Sequence, residues 1–116
     1  DMLKISKEGR RCRVELFQVN RLNTLFSELV RQQLQELIRE PGSEVIFDLA
    51  GIGIVASSGF DVLQEVAAQA REAGSAFTLC NVSDDVKELI ILLELEAKFH
   101  IVTCNKETEK ILVVLD

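Results

Sequence analysis

Residues 44–60 constrain the fold of this chain more than any other stretch. The apolar run Val45-Ile46-Phe47 ends in Asp48-Leu49. A glycine-spaced connection follows, and then Ser57-Ser58-Gly59 opens a segment with apolar residues at helical spacing. A strand that is apolar on both faces apart from one acid belongs in the middle of a sheet covered by helices. In the segment after Ser57, residues Val62, Leu63, Val66, Ala67 and Ala70 fall on one stripe, as an amphipathic helix requires. Arg71 falls in its last turn, and Gly74 is placed to cap its C-terminus.

The flanking sequence continues the alternation of strand and helix. Leu3 and Ile5 share a face, and after Lys7-Glu8-Gly9-Arg10 the residues Cys12, Val14 and Leu16 do the same, which reads as a hairpin. Asn20 or Asn23 can cap the next helix. Its apolar positions are Leu22, Leu25, Phe26, Leu29, Leu37 and Ile38, and Pro41-Gly42 ends it. Val45–Leu49 and Ala76–Cys80 read as strands. Ser83-Asp84-Asp85 starts a third helix with a core stripe of Val86, Leu89, Ile90 and Leu93. Phe99–Val102 reads as a short last strand. Residues 106–115 fit either a strand, through Val113 and Val114, or a helix face through Ile111, Leu112 and Leu115. The expected order is β-β-α-β-α-β-α-β-α, an α/β fold with helices packed on a mixed, partly parallel sheet. One domain, residues 1–116, is expected from a chain of this length.

Charge and cysteine usage exclude several function classes. The net charge of −6 argues against nucleic acid, which needs clustered Lys and Arg. Cys12, Cys80 and Cys104 are odd in number and form no Cys-x-x-Cys, so neither a disulfide framework nor a zinc site is signalled. Reduced, buried thiols and a cytoplasmic protein are expected. The longest apolar run, near Leu89–Leu93, is too short for a bilayer, so no direct membrane insertion is expected. Asp1 ahead of Met2 reads as an addition before a natural start, with the protein standing alone.

The serines at the helix start carry the most chemical interest. Backbone N–H groups there lack intrahelical partners and the helix dipole favours negative charge, so the place suits a hydroxyl cap or a phosphate. Capping and a phosphoacceptor role can coexist at Ser57. Ser58 is the second choice of acceptor. Gly59 lets a partner or neighbouring backbone approach closely. Other chemistries fit less well. Gly51-Ile52-Gly53-Ile54-Val55-Ala56 matches a loose dinucleotide fingerprint, but Asn81 stands where the ribose-binding acid belongs. No G-x-S-x-G elbow is present, and the only histidine, His100, lies in the last short strand as a surface or half-buried residue. Asp84, Asp85, Glu94 and Glu96 read as helix-start and solvent-face groups rather than a metal cluster. The six phenylalanines read as core, except that Phe60 could join a contact patch beside the serines.

In element order and central motif the chain resembles the STAS domain family of sulfate transporters and anti-sigma factor antagonists. The resemblance spans essentially the whole sequence. Its most specific part is the apolar strand, Asp48-Leu49, then Ser57-Ser58-Gly59 and an apolar helix. Gly74 before Ala76-Phe77-Thr78-Leu79-Cys80, and Val82-Ser83-Asp84-Asp85-Val86, support it. In bacterial antagonists of that family the motif is usually Asp-Ser-Ser-Gly, and a partner that is both serine kinase and anti-sigma factor phosphorylates its first serine. That serine corresponds to Ser57. The unphosphorylated antagonist binds the kinase and releases the sigma factor, and a phosphatase resets it.

Two positions depart from the pattern. Ala56 replaces the usual acid, and Asn20 stands where the family often has another Asp. Fewer carboxylates ease the arrival of a phosphate carrying about −1.5 to −2 charges, or remove a group that orients the hydroxyl for the kinase. The resemblance implies a non-catalytic protein without a cofactor. Its partner surface comprises Asn20, Asn23, Ala56, Ser57, Ser58, Gly59, Phe60 and Leu63. Ala56→Asp is expected to alter the phosphorylation rate with little change in thermal stability. Two other roles fit the same family: a STAS subunit or domain of a membrane transport complex, and, more weakly, a small-ligand-binding domain.

Overall fold

The structure, a computed structural model, describes residues 2–103. Asp1, the third cysteine Cys104 and the last expected element at 106–115 lie outside the described residues.

The chain opens with the expected hairpin, β1 (Leu3–Glu8) antiparallel to β2 (Arg11–Leu16). Then come β3 (Arg21–Leu22), α1 (Thr24–Ile38), β4 (Glu44–Asp48), β5 (Ile54–Val55) and α2 (Ser57–Ala73). β6 (Ala76–Cys80), α3 (Asp84–Leu92), a 3-10 turn at Glu96–Lys98 and β7 (His100–Val102) follow. The main sheet has five strands in the order β1-β2-β4-β6-β7, parallel except at the β1–β2 edge. β4 is interior, as its apolar character required. β3 and β5 form a separate parallel ribbon that sequence reading missed.

Three successive βαβ crossovers step along the sheet in one direction. Right-handed connection puts α1, α2 and α3 on the same face. That face carries the row Val14, Phe47 and Leu79, all fully buried, with Cys12, Val45 and Phe77 beside it. Arg13, Ile46, Thr78 and His100 form the alternate row and are half-buried or exposed.

The helix ends follow local chemistry. Asn23 accepts from the Phe26 N–H at 3.0 Å and caps α1, and Ser83 does the same for α3 through Val86 N–H at 3.2 Å. Gly74 takes a left-handed φ of 75° at the end of α2 and donates to the Arg71 carbonyl.

Several side chains differ from expectation. The buried stripe of α1 is Phe26, Val30, Leu34 and Ile38, while Leu25 and Leu29 face solvent and Leu22 is buried from β3 instead. Phe17 is exposed because it follows the end of β2 in a loop. Leu93 is exposed because α3 stops at Leu92 and the chain turns away at Glu94, where φ is positive.

Candidate functional site

The β3–β5 ribbon builds the site. Arg21 pairs with Ile54 and Leu22 with Val55, so two strand-to-helix junctions lie side by side. Gly53 N–H donates to the Asn20 carbonyl at 3.0 Å, and Ala56 N–H donates to the Leu22 carbonyl at 2.9 Å. The two helices then run parallel in register. Thr24 and Ser58 hydroxyls are 2.9 Å apart, and Gln35 donates to Gln69 at 3.1 Å. Arg31 pairs with Glu65 between those contacts. Hence the starts of α1 and α2 form one surface, with Asn20 and Asn23 beside Ala56, Ser57 and Ser58.

Ser57 is the first residue of α2 and is exposed. Sequence reading placed it within one turn of a helix start, and so it is. The capping role expected of the serines is not found. Ala56 occupies the cap position with an extended backbone and provides no side-chain hydrogen bond. Ser58, half-buried, spends its hydroxyl on Thr24. Thr24 is the first residue of α1, as Ser57 is of α2, and was missed. The signal for it was a hydroxyl directly after a capping asparagine.

Three expected surface residues belong to the interior. Phe60 and Leu63 are 3% and 1% exposed, because the inward stripe of α2 begins within its first turn. Gly59 is buried against β3, where an added Cβ would lie 2.9 Å from Val55 Cγ1 and 3.1 Å from the Leu22 carbonyl oxygen. Its close neighbours are the Val55 and Leu22 side chains and the Leu22 carbonyl, all of its own chain. The accessible part of the surface is therefore Asn20, Asn23, Ala56, Ser57 and Ser58.

The loop leading to the site is tied to the sheet at Asp48. This carboxylate is 5% exposed and accepts from Arg13 Nη2 at 2.6 Å, Ala50 N–H at 2.9 Å and Asn81 Nδ2 at 3.0 Å. Burial works against the Arg13 charge. The hydrogen bond and charge of Asp48, helped by Cys80 and Glu15, outweigh it and hold the guanidinium above its ordinary pKa. Among the described residues no His, Cys, Asp and Glu cluster could hold a metal ion, and no helix is long and apolar enough to cross a membrane.

The family model for the STAS domain matches residues 5–110. The chain belongs to the STAS domain family. Solved STAS structures share its fold at low identity. An anti-sigma-factor antagonist (STAS) domain protein from Planctomyces limnophilus superimposes with a TM-score of 0.78 at 17% identity, covering 98% of this chain and 97% of the other. The anti-sigma factor antagonist SpoIIAA in its unphosphorylated form gives 0.74 at 15% identity, with 98% and 97% covered. Its phosphorylated form, from Bacillus, gives 0.69 at 16%, with 97% and 98% covered. The murine anion transporter Slc26a9 gives 0.69 at 17% identity, covering 94% of this chain but 18% of the transporter. Comparison with curated protein sequences gives no significant match. At these identities the likeness to solved structures establishes the STAS fold.

Proposed function

We propose that this STAS domain is an anti-sigma factor antagonist, a non-catalytic cytoplasmic protein that switches partners by reversible phosphorylation of Ser57. The observation that carries the reading is an exposed hydroxyl at the first residue of α2, a helix start without a side-chain cap. Open N–H groups and the helix dipole can hold a phosphate there without unfolding the domain. Solved forms of SpoIIAA, unphosphorylated and phosphorylated, support the reading by analogy of fold. The partner is a serine kinase that doubles as anti-sigma factor. It supplies the ATP, and a phosphatase removes the phosphate. A phosphate on Ser57 adds charge and bulk where the partner packs, so it weakens binding by desolvation and repulsion.

The test uses that kinase from the same organism. Incubation with kinase and ATP should place one phosphate on Ser57, located by mass spectrometry. In calorimetric titration, Ser57→Asp should bind the kinase at least about tenfold more weakly, a loss of about 1.4 kcal/mol. Ser57→Ala should bind and resist modification. A second reading, a STAS component of a membrane transport assembly, draws support from the Slc26a9 likeness. Equal affinities for wild type and Ser57→Asp, with Ser57 unmodified, would favour it.

A further inference from the structure

Beside the Ser57 surface lies an open cleft of 760 Å³ between the start of α1 and the end of the β1–β2 hairpin. Its large apolar lining residues are Met2, Leu16, Val19, Leu25, Phe26 and Leu29. Leu25 is 90% exposed, although it sits in the first turn of a well-capped helix. Leu29 lies one turn further along the same side and is also exposed. Leu25 follows Thr24, whose hydroxyl bonds to Ser58, so the cleft is continuous with the switch. At its other margin Arg21 pairs with the exposed Ile54, three residues before Ser57.

Charge decides what this cleft can receive. Charged residues make up 28% of the chain, yet Arg21 is the sole charge among the described lining residues. Depletion of charge around exposed aliphatic side chains marks the centre of a protein interface. One cation is too little to hold a polyanion. A second copy of a chain with net charge −6 would bring like charges together.

We propose that this cleft is the docking half of the switch surface. It receives an aliphatic or aromatic side chain of the partner that reads Ser57, with a partner carboxylate on Arg21. The inference rests on the Ser57 reading and adds the chemistry of the contact. Binding energy concentrates in the buried apolar anchor, while the hydroxyl at the rim controls access. A phosphate on Ser57 then acts within a residue or two of the anchor, where desolvation makes its charge most costly.

The experiment compares four variants against the purified serine kinase of the same organism by calorimetric titration. Leu25→Ser and Arg21→Glu remove the anchor contact and the cation at exposed positions, so folding is spared. Leu92→Ser is the control. Leu92 is 77% exposed at the end of α3, which leaves the C-terminal end of β6 and leads back to the start of the parallel strand β7, away from the switch. The fourth variant is Ser57→Asp. Leu25→Ser and Arg21→Glu should each weaken binding about tenfold or more, with Leu92→Ser unchanged. Arg21→Glu should recover affinity when the facing carboxylate of the kinase, located by cross-linking from position 25, is changed to lysine. If Ser57→Asp weakens binding while Leu25→Ser matches Leu92→Ser, the switch stands and the cleft is not its docking half. Loss of self-association rather than of kinase binding in Leu25→Ser would assign the cleft to a second copy and overturn the proposal. A kinase that neither binds nor modifies the wild type removes the Ser57 reading and this inference together.

Discussion

A methyl group at position 59 has no room. It would stand 2.9 Å from Val55 Cγ1 and 3.1 Å from the Leu22 side chain and carbonyl oxygen. Alanine in a helix is favoured over glycine by about 1 kcal/mol. Here the clash outweighs that gain, because Val55 and Leu22 are packed in the core and the Leu22 carbonyl is ribbon backbone, so none can step aside as an exposed flexible side chain can. Gly59→Ala is therefore expected to lower stability by about 1–3 kcal/mol, read as a lower urea midpoint at unchanged slope. Gly53→Ala, with nothing within 4 Å of the new Cβ, should stay within about 0.5 kcal/mol of wild type. A midpoint for Gly59→Ala at or above that of Gly53→Ala would contradict the packing described. The need for glycine was legible from the serine–glycine pair opening a helix. What it faces was not, because its neighbours Val55 and Leu22 belong to two two-residue strands, and Leu22 comes from a distant part of the chain. Phe60 and Leu63 show the complementary limit. Proximity to the motif in sequence suggested contact with a partner, but helical phase turns both into the core.

At the scale of elements, the three helices differ at their starts. Asn23 and Ser83 cap α1 and α3, whereas Ala56 leaves α2 without a side-chain acceptor. Asn23→Ala should cost about 1 kcal/mol by removing the acceptor for Phe26 N–H. Ala56→Asp should do the reverse and raise stability by about 1 kcal/mol, since it supplies a cap and a carboxylate at the positive end of the helix dipole. This replaces the sequence-based expectation of little change, which did not place Ala56 at the cap. Thermal unfolding of both variants decides the matter, and a lower midpoint for Ala56→Asp would count against the cap geometry. The spans of α2, β4 and β6 were legible because apolar period, glycine cap and strand length all agree. The phase of α1 was not. Leucines at 25, 29 and 37 imitate a core stripe, while the true one advances by four residues from Phe26 to Ile38. The ribbon β3–β5 was invisible for a simpler reason: two residues display no period.

Across the whole molecule, a single carboxylate connects the sheet to the switch surface. Asp48 ends the central strand and binds Arg13 from β2, the Ala50 N–H of the next loop and Asn81 beyond β6. Leu49 N–H meets the Cys80 carbonyl next to it, and the same loop continues to Gly53, whose N–H reaches Asn20. Sequence alone marked Asp48 as the one polar interruption of an apolar strand and as part of the family motif, but its three partners lie on separate segments. Removing the carboxylate takes the shortest acid contact from a largely buried guanidinium, leaving Glu15 at 3.7 Å, and strips two neutral donors of their acceptor. Losing one member of such a buried pair typically costs about 3 kcal/mol or more, well above a surface ion pair at about 0–1 kcal/mol. Asp48→Ala should show that cost in urea unfolding. It should also speed hydrogen exchange at Gly53 more than at Phe77 in β6, because the loop loses its anchor while the ladder keeps its bonds. The pH dependence has a definite sign. The Arg13 pKa is raised by folding, so its contribution is fully present below the ordinary arginine value and is lost only above the raised one. The cost of Asp48→Ala should hence be constant across the neutral range. Equal exchange at Gly53 in variant and wild type would show that Asp48 supports the sheet without steadying the loop that carries Ser57.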